Sequence, residues 1–186
     1  MNEKKRKGKK KDVELRLIAE LMKGSRRSDR ELARALRVSQ PTVTRIRTRL
    51  EKEGIIKEYT MMPDFTKLGY ELMALTFISI KPTMGREEAD NGRTMVQEQV
   101  KESPGNIIML ERGIGLGHTG VIISFHKDYS DYTQFIHSFK QASTTQAYVG
   151  ENVESFLIDL KDKIRYRPLT LLALANHMLR MKEKKE

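Results

Sequence analysis

The chain has 186 residues, room for one full-sized domain or two small ones, and a formal net charge of +10. It contains no cysteine, which excludes disulfide staples and cysteine-ligated zinc and points to a reducing, cytoplasmic setting. No apolar run follows the basic N-terminus to make a signal peptide, and none approaches the roughly 20 apolar residues of a membrane span, so no membrane partner is expected.

The charge is unevenly placed. Residues 1–11, MNEKKRKGKKK, hold seven Lys or Arg against one Glu, and residues 12–60 hold twelve basic against eight acidic side chains. Residues 61–186 balance at sixteen of each, so the whole excess lies in the first third. Such asymmetry suggests that the N-terminal part meets a polyanion while the remainder has another task. Residues 1–11 read as a disordered basic tail that serves as a phosphate-binding arm beside a second basic segment.

From Asp12 to Lys23, Leu15, Ile18, Leu21 and Met22 recur at three- and four-residue steps, the signature of an amphipathic helix that Gly24 ends. Ser28 with Glu31 forms a capping box for a short helix whose Leu32, Ala35 and Leu36 share one side. Ser39 starts a third helix, with Pro41 tolerated in its first turn, running to about Glu53 and stopping at Gly54. Only Arg37 and Val38 separate the second helix from that cap, which forces a steep crossing.

After Gly54, IIKEYTMM reads as a short strand, residues 63–69 as a linker, and YELMALTFISI as a longer strand. A helix over about Glu87–Glu102, a strand at NIIMLER, a Gly-rich turn GIGLGHTG, a strand at VIISFH, a helix over about Ser130–Gln141 and a strand at VESFLIDL follow. The order β-α-β-β-α-β is the ferredoxin-like plan, an antiparallel sheet with both helices on one face, so the fold class is α+β. PLTLLALANHMLRM reads as a last amphipathic helix, expected to pack on the sheet or on a partner subunit. The expected division is tail 1–11, DNA-binding head 12–62, linker 63–69, second domain 70–162 and C-terminal helical extension 163–186.

Within the third helix Val43, Ile46 and Leu50 share one face and are expected core. Gln40, Pro41, Thr44, Arg45 and Thr48 then face away from it, and Arg47 and Arg49 lie towards the flanks. The outward set mixes hydroxyls, a carboxamide and guanidinium, the side chains that read base edges in a major groove. A surface helix shaped only for solubility would intersperse Glu with Lys, yet Glu appears here only at positions 51 and 53. Ser39, Gln40, Thr42, Thr44, Arg45, Arg47, Thr48 and Arg49 are therefore candidate contacts to double-stranded DNA, with Arg45 aimed at base edges and Arg47 and Arg49 at phosphates or surface pairs.

Three helices followed by short strands is the winged helix-turn-helix order. With Glu31-Leu32-Ala33, the Ser39 cap, Thr42-Val43, Arg45, Leu50-Glu51, Gly54-Ile55-Ile56 and Leu68-Gly69-Tyr70 at matching spacing, residues 31–80 resemble the Lrp/AsnC family of transcriptional regulators. The resemblance extends more weakly to about residue 162 and implies a ferredoxin-like effector and dimerisation domain, homodimers or higher oligomers, and a small-molecule effector held near Gly115, Gly117, His118, Thr119 and Gly120. Two departures stand out. Arg37 replaces the Gly or Asn common in the interhelical turn, and Gly120 stands where the family's Gly-x-x-Asp pattern expects Asp, which puts amino-acid sensing in doubt.

The remaining signals are weaker. The Gly-rich turn lies between two strands and opens no helix, so it does not read as a phosphate cradle. His118 and His126 have equal parity and could share a strand face, but no carboxylate or cysteine cluster converges with them, so no metal and no cofactor is expected. Met61, Met62, Met73 and Met109 read as core or dimer packing. Two rivals to a sequence-specific regulator remain. One is an enzyme resembling the siroheme decarboxylases, which would use His118, His126 and Arg112 on the same two-domain plan; the other is a DNA binder without sequence preference.

Overall fold

The computed structural model describes the backbone of residues 3–81, 91, 94, 106–164, 166 and 168–183, and the side chains within those ranges from Lys11 to Arg180. In chain order the elements are α1 (Glu3–Lys23), α2 (Asp29–Leu36), α3 (Gln40–Lys52), β1 (Leu72–Ile80), β2 (Ile107–Gly115), β3 (His118–His126), α4 (Tyr129–Gln141), α5 (Ser143–Tyr148), β4 (Val149–Asp159) and α6 (Leu172–Glu183). They form two compact units, Met1–Met62 together with Tyr166–Glu186, and Pro63–Arg165. The helix expected over 87–102 lies outside the described residues.

The first unit is built on one apolar seam. Leu17 and Leu21 from α1, Leu32, Ala33 and Leu36 from α2, and Val43, Ile46 and Leu50 from α3 form its buried core, with Val13, Ile18, Val38 and Ile56 packed around it. Each buried Leu or Ile is worth about 1.5–3 kcal/mol of transfer free energy, and the seam is what three short helices share. Val43, Ile46 and Leu50 are at most 4% exposed, so the inward face of α3 is the one its spacing implies.

Three features of this unit differ from expectation. The backbone of residues 3–11, expected as a disordered tail, continues α1; Lys, Arg and Glu are good helix formers, and a helix already nucleated by its apolar face extends at low cost. The C-terminal helix packs along α1 and not on the sheet. α1 can accept it because Leu15, Ala19 and Met22 lie on the face away from the Val13–Leu17–Leu21 stripe; Ala19 and, on α6, Ala175 are fully buried. Finally, no strand forms over residues 55–64. The segment leaves α3 through Ile55 and Ile56 amides that both donate to the Leu50 carbonyl, and it has no neighbouring strand with which to pair. Met61 and Met62 are accordingly exposed and not core.

The second unit is a four-stranded antiparallel sheet in the order β2-β3-β1-β4, the ferredoxin-like order. Ala74, Thr76 and Ile78 of β1 pair with Ser124, Ile122 and Gly120 of β3 and with Leu157, Ser155 and Val153 of β4. These even-numbered β1 and β3 positions are buried on the face where α4 packs. The α5 turn, which no sequence signal announces, leads directly into β4. On the opposite face Met109, Ile123, Leu75 and Phe156 form one row across all four strands, and Phe156 is 63% exposed.

His126 is fully buried on the α4 side. Its Nε2 lies 2.8 Å from Ser124 Oγ and its Nδ1 3.5 Å from Asp131 Oδ2, with the Tyr132 and Phe135 rings around it. Burial pushes its pKa below the ordinary 6.5 despite the opposing pull of Asp131. The unfolded chain therefore takes up a proton that the folded unit refuses, so stability is complete above pH 6.5 and is lost as the pH falls below it. The melting temperature should fall on acidification below that point, by up to about 1.4 kcal/mol of stability per pH unit. In His126→Gln that part of the pH dependence should vanish, as thermal melts across pH 5 to 8 would show.

Candidate nucleic-acid interface

α2, which sets the position of α3, is held at both of its ends by local chemistry. Ser28 caps α2 through a reciprocal box: its Oγ accepts from the Glu31 amide, and its own amide donates to Glu31 Oε2 at 2.7 Å. The Ser28 hydroxyl also donates to Glu31 Oε2 at 2.7 Å, and this bond, with that from the Ser28 amide, holds the Glu31 carboxyl below the usual range. At the other end Arg37 adopts the left-handed region, φ 56° and ψ 47°, so that the Val38 amide can reach back to the Ala33 carbonyl at 3.0 Å. α3 ends in the same way, with Gly54 at φ 68° and the Ile55 amide donating to Leu50. One closure uses the residue without a Cβ and the other an arginine, which carries about 1–2 kcal/mol of steric cost.

Ser39 occupies the N-cap position of α3 but makes no cap hydrogen bond; its hydroxyl instead meets the Thr42 hydroxyl at 2.8 Å. Gln40, Thr44, Arg45 and Thr48 are exposed together on the outward face, as is Ser39. Arg45 forms no ion pair with any other described residue. Thr42, Arg47 and Arg49 are half-buried.

The three arginines are thus of two kinds. Arg47 Nη1 pairs with Asp29 Oδ1 at 3.0 Å, and its Nη2 donates to the Arg27 carbonyl at 3.1 Å. Its guanidinium also lies 5.7 Å from the centre of the Tyr59 ring. Tyr59 in turn donates to Glu51 at 2.5 Å; partial burial and this bond push its phenol up to about 12, so it stays a donor at any working pH. Arg49 pairs with Glu14 of α1 and, at 3.8 Å, with Glu53. Arg47 and Arg49 fasten α3 to the rest of the head, and Arg45 is left outward. Asp29, Tyr59 and Glu14, the partners in this fastening, belong to no sequence motif that would mark them as functional.

In the second unit the five residues near the Gly-rich turn have structural tasks. Leu116 and Gly117, at φ 52° and 76°, form the tight turn between β2 and β3, where both central residues need positive φ. The Thr119 hydroxyl accepts from the Ile80 amide at 2.8 Å. A Cβ on Gly120 would stand 3.0 Å from Ile78 Cγ1, so the Asp of the family pattern would require the Ile78 side chain to shift. Gly115 closes the end of β2, exposed.

His118 lies 3.3 Å from both Ser79 and Glu154 and beside Phe77, on the face opposite His126. Phe77 and Ser79 alternate along β1 with the buried Thr76 and Ile78, so His118 meets the other set of β1 side chains and the two histidines do not come together. Arg112 is exposed on β2 and does not converge with them. Among the described residues no group of three or more His, Cys, Asp or Glu gathers to hold a metal, and no helix is long and apolar enough to cross a membrane.

A capped three-helix head with an outward polar and basic recognition helix, followed by a ferredoxin-like unit, defines a winged helix-turn-helix transcriptional regulator. The winged helix-turn-helix DNA-binding family matches residues 11–57. PH0061 of Pyrococcus horikoshii, an uncharacterized HTH-type transcriptional regulator, is 31% identical over 146 residues, covering 78% of this chain and 90% of that protein. Its crystal structure superposes with a TM-score of 0.66 at 27% identity over 85% of this chain and 95% of that one. LrpC of Bacillus subtilis, an HTH-type transcriptional regulator, is 42% identical over 69 residues, which is 37% of this chain and 48% of LrpC. Its structure aligns with a TM-score of 0.63 at 26% identity over 83% of this chain and 96% of LrpC. The fold is shared, at 17% identity and a TM-score of 0.65 over 87% of this chain and 97% of the other, with the regulator NMB0573 of Neisseria meningitidis, solved as an L-Met complex. The chain belongs to the Lrp/AsnC family of DNA-binding transcriptional regulators.

Replacing Arg37 by Gly should relieve the left-handed strain and stabilise the head by about 1 kcal/mol. A rise in the denaturant midpoint with an unchanged slope would confirm it; a fall would show that the Arg37 side chain contributes more than its backbone costs.

Proposed function

We propose that this regulator binds specific, palindromic sites in double-stranded DNA as a homodimer or higher oligomer, with α3 of each protomer in a major groove. The observation that carries the reading is the division among the arginines of α3: two are bound into the head, and Arg45 stays outward beside Gln40, Thr44 and Thr48. Two such helices, related by a two-fold axis, would read half-sites about one helical turn apart, roughly 34–36 Å. The row Met109–Ile123–Leu75–Phe156, exposed at Met109 and Phe156 and half-buried between them, supports assembly through the second unit, because apolar residues open to water on a sheet face favour a second copy over it. The helical basic arm of residues 3–11 adds phosphate contacts.

The shared fold of the L-Met complex of NMB0573 supports a small-molecule effector for the second unit. Gly120, packed against Ile78 where an acidic residue would ligate, directs that site to a chemistry other than recognition of an amino group. A regulator that works on DNA resides in the cytoplasm. The relatives are named as transcriptional regulators, which favours this reading over a tetrapyrrole enzyme.

Arg45→Ala should lower discrimination between the selected site and its single-base variants by about 1–3 kcal/mol. Deleting residues 2–11 should weaken binding to all duplexes alike and lower the salt slope by about 0.9 for each phosphate no longer neutralised. Gel-shift titrations at several salt concentrations separate the two. Unchanged preference and affinity in Arg45→Ala would refute the placement of α3, and equal competition by random duplex would favour a binder without sequence preference.

A further inference from the structure

Thr44 is exposed on the outward face of α3, but its hydroxyl proton is already committed. The nearest acceptor is Asp29 Oδ2, at 2.6 Å; the carbonyl of Gln40, the usual partner of a helical threonine, is more distant at 3.2 Å. A hydroxyl has one proton and two lone pairs. A short bond to a carboxylate is about twice as strong as a neutral one, so the proton resides towards Asp29. The other carboxylate oxygen, Oδ1, is shielded from solvent and faces Arg47 Nη1 at 3.0 Å. Arg47 thereby compensates the carboxylate's charge as an ion-pair neighbour, while Oδ1 itself accepts no hydrogen bond.

We infer that Asp29 is a positioning residue that sets the hydrogen-bonding polarity of Thr44, so that the recognition helix presents Thr44 to DNA as an acceptor only. The major-groove partner of such an acceptor is an exocyclic amino group, the N6 of adenine or the N4 of cytosine; the carbonyl edges of thymine and guanine are refused. Ordinarily a threonine on a recognition helix can serve either kind of base, because its hydroxyl rotates. Here the rotation is stopped from behind, by a residue of α2 that need not touch DNA. The inference rests on the proposed reading of α3 as the sequence-reading helix.

The test is selection of binding sites from a randomised duplex pool by the full-length wild-type chain, by Asp29→Asn and by Thr44→Val, each checked for folding by its melting curve. In the wild type, one position of the half-site should require adenine or cytosine on the contacted strand, and Thr44→Val should lose that requirement while keeping those that Arg45→Ala removes. In Asp29→Asn the amide oxygen turns to Arg47, which can only donate, and the amide NH2 is left facing Thr44. The hydroxyl then accepts from it and becomes a donor outward, and preference at that one position should move towards thymine or guanine by roughly 2- to 10-fold. A purely structural role for Asp29 would weaken all sequences together without moving one base.

The proposal is overturned if Asp29→Asn, folded, selects the wild-type sequence, or if the position lost in Thr44→Val carries thymine or guanine in the wild type. Should Asp29→Asn fail to fold, Thr44→Val decides alone, since it leaves the Asp29–Arg47 pair in place. A wild-type pool without any enrichment would instead bring down the sequence-specific reading itself, and this inference with it.

Discussion

Burial of Val43, Ile46 and Leu50 fixes the rotation of α3 about its own axis, and every functional statement about the head depends on that rotation. Once those three residues are turned inward, geometry leaves Gln40, Thr44, Arg45 and Thr48 outward. The apolar seam specifies the face but allows the helix to slide and tilt. The ion pairs of Arg47 with Asp29 and Arg49 with Glu14 restrict both, because each ties α3 to a different helix. Isolated surface pairs contribute little stability. Their use here is geometric: they hold in register a surface whose partner repeats at fixed intervals.

Part of this was legible in the residues. The three- and four-residue spacing in α3, the Ser28 and Glu31 box and the glycine at 54 define a helix, its start and its stop without reference to anything distant. The strand order of the second unit was likewise legible, since alternating apolar residues between turn signals leave few antiparallel plans. What could not be read was partnership across elements. Helical spacing turns Arg45 outward and Arg47 and Arg49 to the flanks, but it does not say which carboxylates hold those two; only the crossing of the helices brings Asp29 to one and Glu14 to the other. The same holds for His118 and His126: equal parity on β3 did not reveal that His118 meets Phe77, Ser79 and Glu154 while His126 packs against Tyr132 and Phe135.

Position 120 shows how one small residue redirects a site. Glycine there lets the Ile78 side chain pack against the backbone of β3, closer than a residue with a Cβ would allow without a shift. The departure from the family pattern is therefore more than a missing ligand, because the neighbouring side chain has filled the gap. Restoring the acid would require Ile78 to yield as well.

The head is assembled from two separated stretches of sequence, with residues 63–165 inserted between them. A ribosome releases α1 long before α6, so the face of α1 that α6 covers stays open until residues 172–183 have been made. For that interval the nascent head carries an uncovered surface beside a strongly basic arm, a combination prone to premature association with nucleic acid or with other chains.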